Sequence, residues 1–234
     1  MVNRTLPTRR RGTIVALSAV AVVVGACQAS SGSTAPTYKP APWPKPIVAG
    51  AAQFDLGAGF DCGYLMVTEN RERPSARTTR IPVARLRAQS PNPKPDPIVF
   101  LAGGPGGSGL LQQSAALGWN ADRDVIFISQ RGTLKTDPFL SCPEIDEFTA
   151  RSAHPVMTDP ATSAASAAAT SGCRNRNARE GWDLSAYNTT ENAADVADLR
   201  TALGIDEWNV YGLSYGTNLA LQLLRVWKLD RLGR

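Results

Sequence analysis

The segment Val210-Tyr211-Gly212-Leu213-Ser214-Tyr215-Gly216 leaves the backbone few choices. Trp208 to Tyr211 before it has the character of a buried strand, and Asn218-Leu219-Ala220-Leu221-Gln222-Leu223-Leu224 after it reads as a helix. Only Gly-x-Ser-x-Gly separates them, so a strand must turn abruptly into a helix. Gly212 and Gly216 are needed because a side chain there would collide with the adjoining strand or helix. Ile98-Val99-Phe100-Leu101 and Val125-Ile126-Phe127-Ile128 are unbroken apolar runs, as expected of strands covered on both faces. Residues 190–203 predict a helix: Thr189 or Thr190 can cap it, Ala193, Val196, Leu199 and Leu203 share one face, and Gly204 ends it. Strands alternating with helices predict an α/β domain with a largely parallel sheet and flanking helices.

Two further strands are expected at Tyr64 to Thr68 and Thr78 to Leu86, the second confined to an edge or a bulge by Pro82. Glu144 to Gly172 is rich in Ala, Ser and Thr and predicts a surface excursion with some weak helix around 163–170. It carries the chain's one histidine, His154. Cys142 and Cys173 bracket this insertion and are predicted to pair, which would stabilise by roughly 3–4 kcal/mol in the chain-entropy model. Cys62 is then the odd cysteine, either a buried thiol or one whose partner lies in other sequence.

The start of the chain sets its compartment. Arg4, Arg9, Arg10 and Arg11 precede an uncharged apolar run of 14 residues, Thr13 to Ala26. That run is shorter than the roughly 20 residues a bilayer requires, and the whole has the form of a secretory signal over residues 1–26. Val24-Gly25-Ala26-Cys27 resembles a bacterial lipobox, which makes Cys27 the expected lipidation site and places the protein on the outer face of a bacterial cell membrane, or secreted. Arg9-Arg10 leaves open a twin-arginine route beside the general secretory one. Residues 27–50, with alternating prolines from Pro40 to Pro46, read as a spacer, and 51–234 as the folded domain. Removing four arginines with no acid lowers the formal charge from +5 to +1, so nucleic acid is not an expected partner.

The serine at the sharp turn is the candidate nucleophile, because that geometry projects its hydroxyl and a hydroxyl reacts only when exposed and paired with a base. A second constellation, Gly103-Gly104-Pro105-Gly106-Gly107-Ser108-Gly109, follows the strand ending at Leu101. It contains the dinucleotide pattern Gly-x-Gly-x-x-Gly, but the position that should carry a ribose-binding acid is Ser129. No Gly-Lys-Ser/Thr follows either, so a phosphate loop is excluded. The better reading is an oxyanion loop, in which the N–H of Gly103 or Gly104 joins that of Tyr215. No cofactor is expected. One His without a Cys-x-x-Cys pair also speaks against a closed metal site.

Residues 60–225 resemble the N-terminal half of the α/β-hydrolase family of secreted tripeptidyl aminopeptidases and proline iminopeptidases. The resemblance runs through Cys62-Gly63-Tyr64-Leu65, Glu69-Asn70-Arg71, Leu101-Ala102-Gly103-Gly104-Pro105-Gly106-Gly107-Ser108 and Gln130-Arg131-Gly132-Thr133. It continues through Asp183-Leu184-Ser185-Ala186-Tyr187-Asn188-Thr189, Ala194-Asp195, Asp198-Leu199-Arg200, Leu203-Gly204 and Gly212-Leu213-Ser214-Tyr215-Gly216-Thr217. It implies Ser214 as nucleophile, Gly103 or Gly104 with Tyr215 as oxyanion donors, and the N-terminal end of a peptide as substrate. Members usually carry His where Ala102 stands and Asp where Ser129 stands, so a weaker scaffold behind the oxyanion loop is expected.

Members also continue well beyond the nucleophile, through a cap, an acid and a base. Downstream of Ser214 the sole acid is Asp230, and there is no His. The chain order in this fold is Ser, then acid, then His, so His154, which precedes Ser214, reads as a solvated loop residue. The expectation is a partial domain lacking cap and C-terminal half, inactive alone, with an unprotected apolar edge at 208–211. Such a chain is a relict or one half of a split enzyme completed by a second polypeptide; the relict is favoured. The competing functions are an esterase or lipase, and a non-catalytic surface-anchored interaction lipoprotein.

Overall fold

The computed structural model describes residues 35–42, 59–73, 77–116, 118–151 and 158–231. The signal segment 1–26, Cys27, much of the spacer and His154 lie outside the described residues. Strands β1 (Thr37–Pro40), β2 (Phe60–Thr68), β3 (Thr78–Leu86), β4 (Ile98–Leu101), β5 (Val125–Ile128) and β6 (Asn209–Gly212) form one sheet in the order β1-β2-β3-β5-β4-β6. Helices α1 (Pro143–Arg151), α2 (Pro160–Arg179) and α3 (Thr189–Ala202) precede β6, and α4 (Tyr215–Arg231) follows it.

The sheet is mixed. The connection between β2 and β3 is short and permits only an antiparallel hairpin, paired from Phe60–Leu86 to Thr68–Thr78. Parallel pairing is found where longer connections cross over, at β5 with β4 and β4 with β6. Within the proline-rich spacer, Thr37–Pro40 does not stay free. It pairs antiparallel with β2, and Tyr38 packs against the core.

Pro82 lies within an interior strand, not an edge. Its carbonyl accepts from Ser129 N–H on the β5 side, and N–H and C=O of one strand residue point the same way. The β3–β5 ladder ends at Val83–Ile128, so the donor that proline lacks falls just past the last rung.

The apolar runs are buried on both faces, as alternation along a strand requires. Val99, Leu101, Ile126 and Ile128 join Val196 and Leu199 of α3 and Leu219 and Leu223 of α4 in one cluster. Phe100, Val125 and Phe127 join Ala84, Leu110 and Ala116 in the other. Each large side chain so buried contributes about 1.5–3 kcal/mol.

Helix α3 begins one residue earlier than expected and is capped by Asn188, whose side chain accepts from Glu191 N–H, not by either threonine. The insertion holds more helix than its composition suggested. Asp159 caps α2 through Thr162 N–H, Pro160 fits its first turn, and the 20-residue helix packs against α1. The disulfide Cys142–Cys173 joins the start of α1 to α2, with Cα atoms 5.2 Å apart. Cys62 lies half-buried on β2 beside the second cluster. Among the described residues, no helix is long and apolar enough to cross a membrane.

Candidate active site

Parallel strands β4, β5 and β6 deliver their following segments, 102–107, 129–133 and 213–215, to one edge of the sheet, where open α/β sheets bind ligands. Ser214 stands there with φ of +53°, in the left-handed region that non-glycine residues seldom adopt. It is solvent-exposed. The turn closes through Gly216 N–H to Leu213 O and Thr217 N–H to Ser214 O, at 2.8 and 3.0 Å. Its tightness explains the flanking glycines. A Cβ on Gly212 would lie 2.4 Å from Gly216 O, and one on Gly216 only 2.0 Å from Leu101 O.

The Gly-rich segment after β4 is pressed against this turn. A Cβ on Gly103 would meet Ser214 Cβ at 3.0 Å and Leu213 O at 3.0 Å. Gly103 N–H donates to Gln112 Oε1 at 3.3 Å, and Gly106 N–H to Gln130 Oε1 at 2.9 Å. Gln130 Nε2 also donates to Ala102 O at 3.2 Å. Of the two loop glycines considered as oxyanion donors, Gly104 is therefore the one whose N–H is not committed to a glutamine. It has φ of +110° and is exposed, and its neighbour Pro105 lines the same cavity as Tyr215, the other candidate donor.

Behind the loop, Ser129 has a partner of its own. Ser129 Oγ and Ser108 Oγ share a buried hydrogen bond of 2.6 Å, and the same two residues form a backbone bridge. Small hydroxyls thus join the end of the Gly-rich loop to the end of β5. The roles of Gln112 and Gln130 were not visible in the sequence, because their partners lie 9 to 28 residues away.

Next to the turn, an open cavity of about 350 Å³ is lined by Pro105, Gly106, Gln130, Thr133, Asn188 and Tyr215, among others. Tyr215 OH bonds Thr189 Oγ1 at 2.7 Å, which ties the first residue of α4 to the first turn of α3. The inner wall is a buried ion-pair cluster. Arg131, with a fully buried side chain, grips Asp195 through Nε at 2.7 Å and Nη2 at 2.6 Å, and donates from Nη1 to Ala186 O at 3.0 Å. Arg71 reaches Asp195 at 2.8 Å and also pairs with Glu191 and Asp198.

Burial opposes the charge on both guanidiniums, but Asp195, with Asp198 at Arg71 and Glu191 at Arg131, outweighs it and holds both above the ordinary arginine range. Burial raises the Asp198 carboxyl despite Arg71 beside it. Burial, reinforced by the Glu69 carboxylate, likewise raises the Tyr187 phenol. Among the described residues, no group of His, Cys, Asp and Glu is arranged to hold a metal ion.

The family model for the alpha/beta hydrolase fold matches residues 96–226. A tripeptidyl aminopeptidase of Streptomyces lividans is 30% identical over 182 residues, covering 72% of this chain and 33% of the relative. A proline iminopeptidase of Xanthomonas citri is 29% identical over 133 residues, covering 57% of this chain and 29% of the relative. The crystal structure of a proline iminopeptidase of Mycobacterium smegmatis superposes with a TM-score of 0.38 at 19% identity, covering 62% of this chain and 36% of that one. The chain spans about a third of the length of the relatives it matches.

Proposed function

Because this chain belongs to the alpha/beta hydrolase fold family, we propose that it supplies the nucleophile and oxyanion half of an exported serine hydrolase of aminopeptidase type. The observation that carries the proposal is Ser214 at φ +53° on the β6–α4 turn, with the Gly-rich loop packed against it. Ser214 Oγ would attack the carbonyl carbon of a peptide near its N-terminal end. The carbonyl π pair moves onto oxygen and the hydroxyl proton passes to a base. The protonated base then gives that proton to the amide nitrogen as the tetrahedral intermediate collapses. The C–N bond breaks, the downstream amine leaves, and water cleaves the remaining acyl-enzyme. Gly104 N–H and Tyr215 N–H are the donors proposed for the oxyanion.

The fold's chain order of Ser, acid, then His assigns the base to a position after Ser214 in that order. In the split-enzyme reading a second polypeptide supplies it. Peptide as substrate is favoured by the names of the relatives, tripeptidyl aminopeptidase and proline iminopeptidase. Export and lipidation at Cys27 complete the proposal and rest on the signal-like segment 1–26.

A fluorophosphonate probe tests the core of this reading. Labelling of Ser214, lost in Ser214→Ala, is expected when the chain is combined with polypeptide that carries the base. Labelling that survives Ser214→Ala would sink it. Cleavage of esters but not of aminoacyl amides would redirect the assignment to an esterase. Metabolic incorporation of palmitate, absent in Cys27→Ser, tests the anchor.

A further inference from the structure

We propose that Gln130 is a positioning residue for the oxyanion donors, setting the shape of the Gly-rich loop through two hydrogen bonds; this rests on the Ser214 reading above. Its side chain is almost wholly buried, at 6% residue exposure, one residue beyond the Ser129 bridge. From there the amide reaches both ends of the turn. Nε2 donates to Ala102 O and Oε1 accepts from Gly106 N–H. Of the residues between, Gly103 is buried, whereas Gly104 and Pro105 are exposed, as is Gly106. A stretch so rich in glycine has little conformational preference of its own.

The second peg is Gln112, which occupies Gly103 N–H. Pro105 has no N–H. Of residues 103–106, Gly104 alone then has an N–H not committed to a glutamine or absent, and it can face charge developing beside Ser214. An amide suits position 130 because one rigid plane carries both a donor and an acceptor. A carboxylate would still accept from Gly106 but would oppose the Ala102 carbonyl and set negative charge near the oxyanion.

The test uses the full chain, together with any polypeptide needed for labelling, as Gln130→Met and Gln130→Glu. Met keeps the length and removes both bonds. Fluorophosphonate labelling of Ser214 is expected to slow about tenfold or more, as loss of part of an oxyanion site does. The melting temperature is expected to fall by only a few degrees, as the loss of a buried hydrogen bond requires. Glu is expected to fall between Met and the parent. Its rate relative to the parent should recover as pH falls and the protonated carboxyl regains a donor for Ala102 O, a dependence that mere packing would not produce. Labelling of the Met variant within twofold of the parent overturns the proposal.

Where the parent itself is not labelled, the Ser214 reading fails, and amide exchange still decides the role of Gln130. Gly106 N–H exchanging about tenfold faster in Gln130→Met supports it, and equal exchange overturns it.

Discussion

Two polar regions share one edge of the sheet and are built in opposite ways. The Arg131–Asp195 cluster is sealed, each charge answered by several partners. The Ser214 turn is exposed and strained, shaped by close backbone approach instead of by polar bonds to its side chain. The contrast separates a region held by answered charges from one held by backbone approach alone. The cluster ties the segment after β2, the loop after β5 and helix α3 together. At the turn the Ser214 hydroxyl is exposed, and the nearby Gly104 N–H is not committed to a glutamine.

The hardest blow to this contrast is Asp195→Ala. It leaves a fully buried Arg131 without its bidentate partner, and should cost about 3–5 kcal/mol in urea unfolding. A loss below about 1 kcal/mol would show that the cluster is not what anchors the edge.

Gly216→Ala attacks the turn through its backbone. In a helix, alanine is ordinarily better than glycine by about 1 kcal/mol. Here the new Cβ would lie 2.0 Å from Leu101 O, which is backbone and cannot swing aside. The clash wins, and a net loss of about 1–3 kcal/mol is expected in the same measurement. Stabilisation would mean the turn is looser than described.

Asn188→Ala removes the cap of α3 beside the cavity and should lower stability by about 1 kcal/mol, visible as a reduced melting temperature. Ser214→Gly sharpens the comparison most finely. It relieves a non-glycine residue at φ +53° and should raise stability by roughly 0.5–1 kcal/mol, while abolishing any probe labelling at this position. A destabilised Ser214→Gly would place a structural duty on the hydroxyl.

Features carried by neighbouring residues were legible in the chain itself. The abrupt turn at Gly212 to Gly216, the two-faced strands at 98–101 and 125–128, and the pairing of Cys142 with Cys173 all follow from local pattern or spacing. Pro82 points to an edge or a bulge in the sequence, yet a proline is tolerated wherever its missing donor has no rung to fill, and the end of the β3–β5 ladder is not written near residue 82. The helical content of 143–179 was understated because Ala/Ser/Thr composition is ambiguous until Asp159 caps α2 and the disulfide holds α1 beside it.

The sequence by itself determined the strand–turn–helix around Ser214 and the α/β class, since sterics and hydrophobic period act between residues a few positions apart. Only the tertiary structure decided that Gln130 would hold the Gly-rich loop, that Asp195 would answer Arg131 from 64 positions away, and which loop glycine would keep its N–H uncommitted. Those are hydrogen bonds across long stretches of chain, and a buried polar group takes whichever partner packing brings within reach.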